Sequence, residues 1–155
     1  MIVKTQTIEQ PEFYLAGITV RTTNQNGQSQ KDIGELWGRV MNGNLLSKIE
    51  GKISTDTYCV YTDYETDYTG AYTTLIGCKV NSLDNISEGF RGLTIPAGKY
   101  KVYDLEGKFP EKVHKAWVEI WNSGIERAYT ADYDLYVAGA KSFEETEVKI
   151  YLAVK

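Results

Sequence analysis

Two stretches of the chain carry the same apolar stripe. In the first, apolar residues fall at Ile33, Leu36, Trp37, Val40 and Met41; in the second, at Val113, Ala116, Trp117, Ile120 and Trp121. Both follow the i, i+3, i+4, i+7, i+8 spacing that gathers one face of an α-helix. Each stripe holds a Trp at the same point and runs into a glycine stop signal, Asn42-Gly43 in one and Asn122-Ser123-Gly124 in the other. Downstream of each helix comes a Tyr-x-x-Tyr segment, Tyr58-Cys59-Val60-Tyr61 and Tyr133-Asp134-Leu135-Tyr136. The chain therefore reads as two copies of one motif.

Around the helices, runs of β-branched and aromatic residues bounded by turn residues predict strands. They cover Ile2 to Ile8, Phe13 to Thr22, Thr57 to Thr62, Tyr72 to Val80, Asp132 to Val137 and Glu147 to Val154. Leu93 to Leu105 is a strand pair or one bent strand, broken by Pro96-Ala97-Gly98. Ser29 with Asp32 three residues on is a capping-box-like start for the first helix, and Pro110 suits the first turn of the second. The order strand, helix, strand, strand occurs twice. The expected fold is α+β, a duplicated strand–helix–strand–strand unit with two helices on one face of a mostly antiparallel curved sheet. The copies fall at about 1–80 and 93–155, and Asn81 to Gly92 joins them within one domain spanning 1–155. The seam between the copies is the natural place for a pocket.

A net charge of −4 without any block of Lys or Arg argues against a nucleic-acid surface and suits a cationic ligand. No run approaches the roughly 20 apolar residues of a membrane helix. Met1-Ile2-Val3-Lys4-Thr5 lacks the pattern of a secretory signal, so a cytoplasmic location is expected. Cys59 and Cys78 lack metal-type spacing and read as buried thiols or, failing that, a disulfide. Twelve tyrosines point to a lined cavity or an adhesive surface. The sole histidine, His114, falls between stripe positions on the solvated side of its helix. No His-based metal cluster, nucleophile elbow or phosphate loop follows, and no cofactor is expected.

Side chains alternate along a strand, so Cys59 shares a face with Tyr61, and Asp134 with Tyr136. Asp134 takes the position in its copy that Cys59 takes in the other. An acid there is either a solvated outer-face carboxylate or the floor of an aromatic cavity held by tyrosine hydroxyls. A buried ion costs several kcal/mol unless it is paired. A bound cation would offset part of that cost, with about 0.5–2 kcal/mol more from each aromatic face it covers. Trp37, Met41, Trp117 and Trp121 are expected to face the sheet, as core or as cleft walls. Asp63, Glu65 and Asp67, alternating with Tyr64 and Tyr68, make a solvated connection or a cavity mouth rather than a calcium loop. A carboxylate among tyrosines also suits general acid–base work, so turnover and binding both stay open.

Six segments in register carry a family resemblance along nearly the whole chain: Phe13 to Ile18, Glu35-Leu36-Trp37, Tyr58 to Glu65, Ile76-Gly77, Ile95 to Tyr100, and Trp117 to Trp121 with Tyr133 to Tyr136. The sequence resembles the GyrI-like effector-binding domain found in many AraC-type and MerR-type transcription activators, in a stand-alone form without a helix-turn-helix region. The resemblance implies a duplicated unit with a ligand cavity between the copies. It also implies binding of flat lipophilic cations by an aromatic pocket with an acid at its base. By position, Asp134 is that acid, and Tyr61, Tyr136, Trp37 and Trp117 are lining, with Tyr151 in the last strand a further candidate. The family acid is commonly Glu, and Asp is one methylene shorter. The closing strand often reads Ile-Pro-Val, where this chain has Leu152-Ala153-Val154. Other members imply two rival roles, a protein partner such as gyrase or a regulator, and hydrolysis of cyclopropane-bearing toxins.

Overall fold

A computed structural model describes residues 2–67 and 69–155; Met1 and Tyr68 lie outside the described residues. Eight strands form one antiparallel sheet: β1 (Ile2–Gln10), β2 (Phe13–Thr23), β3 (Thr57–Thr62), β4 (Ala71–Val80), β5 (Arg91–Ile95), β6 (Gly98–Leu105), β7 (Ala131–Tyr136) and β8 (Val148–Ala153). Helix α1 (Gln28–Asn42) lies between β2 and β3, and α2 (Glu111–Asn122) between β6 and β7. The fold is α+β, with an open, curved sheet and both helices on one face.

The strand order is β1-β6-β8-β7-β3-β4-β2-β5. Exchanging β1 with β5, β2 with β6, β3 with β7 and β4 with β8 reverses this order onto itself. The duplication is thus a pseudo-two-fold, and its edge strands are exchanged: β1 pairs with β6 of the other copy and β5 with β2. Leu93 to Leu105 resolves into two strands, β5 and β6, because each has a different partner. The axis passes through the β3–β7 pair, where Cys59 faces Asp134. One residue of register slip would move Asp134 to the opposite face.

The two faces bury different cores. On the helix side, Leu36 and Val40 pack with Ile18, Cys59 and Ile76. Ala116, Trp117 and Ile120 pack with Tyr103, Ile150 and Leu152. Tyr61 and Tyr136 touch both clusters and so join the two copies. On the other side, Phe13, Tyr58, Tyr100 and Tyr133 form an aromatic core. Both cysteines are buried free thiols.

Local details depart from expectation at the helix starts. Gly27, in the left-handed region at φ 68°, precedes α1 in place of Ser29. Asp32 instead accepts hydrogen bonds from Thr22 Oγ1 at 2.8 Å and Gln28 Nε2 at 3.1 Å. Pro110 is the residue before α2 rather than its first helical residue.

Gly17 and Gly77 oppose each other across β2 and β4. A Cβ at Gly77 would collide with the Ala16 carbonyl oxygen, and one at Gly17 with that of Ile76. Gly77→Ala should therefore destabilise the protein by about 1–3 kcal/mol, because backbone on the facing strand must give way. Urea denaturation checks this; an unchanged midpoint would contradict it.

Candidate functional site

The two helices stand apart over the β3–β7 seam and leave a cavity of about 550 Å³ between them. Helix α1 contributes Ile33, Trp37 and Met41, and α2 contributes Val113, Trp117 and Trp121. The sheet adds Tyr61, Tyr72 and Tyr136, and connections add Tyr64, Phe109 and Phe143. The rings meet mostly edge to face. Trp37 lies on Tyr136 at 5.3 Å, Trp117 on Tyr61 at 5.5 Å, and Phe109 on Tyr136 at 5.3 Å. Rings packed on one another in this way form rigid walls.

Asp134 lies directly beneath these walls, fully buried. Tyr61 donates to its Oδ2 at 2.6 Å, Tyr136 to the same oxygen at 3.4 Å, and the Trp117 indole N–H to Oδ1 at 2.9 Å. Tyr61 and Tyr136 occupy equivalent places in the two copies, so the duplication aims both hydroxyls at the axis. Across the axis, Cys59 supplies only a weak S–H donor, 3.5 Å from the Tyr61 hydroxyl. Burial raises the Asp134 carboxyl from 3.8 to about 6, against the pull of its three donors. Burial first, and then the charge of Asp134, hold both tyrosine hydroxyls well above their usual range, so they remain donors. Among the described residues no Lys or Arg forms an ion pair with Asp134.

A carboxyl raised by folding contributes stability that is fully present below its unfolded value. That stability is lost as pH climbs through about 6. Between pH 4 and pH 7 the wild type should therefore lose about 2–3 kcal/mol relative to Asp134→Asn. Urea denaturation of both proteins at the two pH values measures the difference; parallel pH profiles would contradict it.

A second buried acid, Asp132, lies two residues upstream on the same face. It is paired with Arg127 at 2.7 Å and accepts from the Tyr64 hydroxyl at 2.5 Å and the Ala153 N–H at 2.7 Å. The guanidinium lies 4.4 Å from the Tyr129 ring, 5.6 Å from Trp117 and 5.8 Å from Tyr64, and Arg127 also lines the cavity.

The structure brings Trp37, Met41, Tyr61, Trp117, Trp121 and Tyr136 together around the cavity, with Asp134 behind the lining rather than in it. Two placements need correction. Tyr151 is on the opposite face, stacked on Tyr133 at 4.6 Å, because it alternates with Ile150 and Leu152 along β8. Met41 does not face the sheet: it is 68% exposed, since the last turn of α1 runs out beside the cavity. His114 is exposed as expected, yet it stands on the cavity wall. Sequence reasoning passed over Arg127, Asp132, Tyr72 and Phe109. The Asp132-Tyr133-Asp134 alternation was the available signal, since it places both carboxylates on one strand face.

No group of side chains suited to a metal ion occurs among the described residues. No helix among them is long and apolar enough to cross a membrane.

Comparison with known proteins places this geometry. Over 147 residues the chain is 29% identical to YobU of Bacillus subtilis (strain 168), whose name marks it as a candidate transcriptional regulator. That match covers 90% of this chain and 91% of YobU. The crystal structure of an integron cassette protein from the mobile metagenome of Vibrio cholerae is 30% identical, with a TM-score of 0.73 over 97% of this chain and 95% of its own. SAV2435, solved with tetraphenylphosphonium bound, shares the fold at a TM-score of 0.81 and 19% identity, covering 99% of this chain and 94% of that one. The family model described as Cass2, integron-associated effector binding protein, matches residues 7–154. The chain belongs to this Cass2 family of effector-binding proteins.

Proposed function

We propose that the cavity between α1 and α2 binds a lipophilic, aromatic cation. Trp37, Met41, Tyr61, Trp117, Trp121 and Tyr136 are its walls, and Asp134 is its counter-charge. The observation that carries this reading is an ionisable acid buried beneath an aromatic cavity without a cationic partner among the described residues. Leaving such a charge unpaired costs several kcal/mol, and a cation against the tyrosine and tryptophan faces would reduce that cost. The charge reaches the cavity through the hydroxyls of Tyr61 and Tyr136, whose oxygens become more negative as they donate to Asp134. The neighbouring SAV2435 structure, with its bound lipophilic cation, is consistent with this chemistry. The role that follows is sensing of a drug-like effector in the cytoplasm, coupled to transcriptional regulation.

Tryptophan fluorescence tests the binding step, because all three tryptophans line the cavity. Methyltriphenylphosphonium should quench it saturably, while 1,1,1-triphenylethane, the same shape without the charge, should bind at least about tenfold more weakly. Equal affinities for the two would contradict a charge-selective site.

A further inference from the structure

The cavity is not equally polar along its length. Where α1 begins, the lining brings in Asn24, Ser29 and Gln30, and Tyr72 donates to Asn24 at 2.6 Å. Where α1 ends, the lining is a track of rings that starts at the buried acid. Tyr136, which donates to Asp134, meets both Trp37 and Phe109, each at 5.3 Å. Phe109 in turn meets Phe143 at 4.8 Å. Met41 follows Trp37 by one turn of α1 and continues that branch of the track. Thr57 and Thr146 also line this end, and the Thr146 hydroxyl already donates to the Phe143 carbonyl at 2.8 Å.

The track runs out into solvent. Among the described residues four large apolar side chains are exposed, and two of them, Met41 and Phe143, stand at this end of the cavity. One exposed apolar side chain needs no explanation, but two at the outer end of a continuous apolar lining make a groove suited to apolar ligand surface. Among the described residues that line this end there is no Asp, Glu, Lys or Arg, so the groove suits hydrocarbon rather than a second charge. We propose that the ligand is a cationic amphiphile, whose alkyl chain leaves the cavity past Met41 and Phe143 while its charge stays near Asp134. This rests on the reading of the cavity as a cation site and adds a chain subsite to it, with Met41 and Phe143 setting the preference for chain length.

Methyl-, butyl-, hexyl- and octyltriphenylphosphonium keep one cation and lengthen one chain, and tryptophan fluorescence reads their binding. Wild-type affinity should rise about two- to threefold per methylene, short of the roughly fourfold of complete burial, because the groove is open to solvent. Phe143→Ser and Met41→Ser should each cut the octyl-to-methyl affinity ratio by at least about fivefold. Ile53 is an exposed apolar side chain that does not line the cavity, so Ile53→Ser should keep the wild-type ratio and controls for adsorption of the chain elsewhere. A flat series with saturable binding of the methyl probe would overturn the proposal and leave the cation site intact. So would a rising series whose ratio survives in either Phe143→Ser or Met41→Ser, which would leave that side chain to a protein surface. An equal fall of the ratio in Ile53→Ser would also overturn it. If no phosphonium of the series binds saturably, the cation reading fails and the chain subsite with it.

Discussion

Asp134→Asn is expected to weaken methyltriphenylphosphonium binding by about ten- to a hundredfold while changing 1,1,1-triphenylethane by less than about twofold. The substitution is nearly isosteric, so the cavity keeps its shape. The amide oxygen can still accept from the Trp117 indole, which now donates to Oδ1 at 2.9 Å, and the amide NH₂ in the place of Oδ2 can donate to the Tyr61 hydroxyl, which turns from donor to acceptor. What disappears is the charge. Charge pairs desolvated at close range contribute far more than those at the surface, so the loss should fall on the cation alone. A fall of the same size for both compounds would mean that Asn has disturbed the walls, and the counter-charge idea would fail. The shorter reach of Asp compared with Glu matters less than the sequence implies. The carboxylate sits behind the lining, and the hydroxyls of Tyr61 and Tyr136 extend its polarity to the cavity surface.

Trp117→Ala should cost about 3–5 kcal/mol of stability, the range for removing a large buried aromatic side chain. Trp117 is 8% exposed and packs in the α2 core against Ile150 and Leu152. It also meets Tyr61 and Trp121 and donates to Asp134. Truncation leaves both a void and a carboxylate oxygen without its N–H donor. Trp37 is the contrasting case. It is half-buried, rests edge-on against Tyr136 and makes no hydrogen bond to Asp134. Trp37→Ala should therefore lose ligand binding with a stability cost well below that of Trp117→Ala. Urea denaturation of both variants distinguishes core from wall; equal losses would show that the two helices are not divided in this way.

The duplication was readable because helix periodicity and strand alternation are local. Leu36, Val40, Ala116, Trp117 and Ile120 all fall on the expected stripes and are all buried. Alternation likewise placed Cys59, Tyr61, Asp134 and Tyr136 on one face. The exchange of β1 and β5 between the copies was not readable, since it depends on which edge each strand reaches. Tyrosine count was a poor guide to the cavity. Tyr58, Tyr100, Tyr133 and Tyr151 went to the core on the other face, whereas Tyr61, Tyr64, Tyr72 and Tyr136 line the site. Composition is blind to this division, which parity along each strand decides for the strand tyrosines and the connection after β3 decides for Tyr64. Arg127 escaped notice for a related reason. It lies outside any periodic element, and only the bridge between Arg127 and Val154 and the fold of the preceding turn bring it beneath Tyr64.

Isothermal titration calorimetry of methyltriphenylphosphonium at pH 6, in two buffers of different ionisation enthalpy, reads out whether the bound cation engages Asp134. With the Asp134 carboxyl near 6, about half of the molecules hold its proton, and a bound cation favours the ionised form. Binding should therefore release up to about half a proton at pH 6 and almost none at pH 8, and Asp134→Asn should abolish the release. Saturable binding with the same heat in both buffers at pH 6 would show that the cation does not engage Asp134, and the proposed site would be wrong.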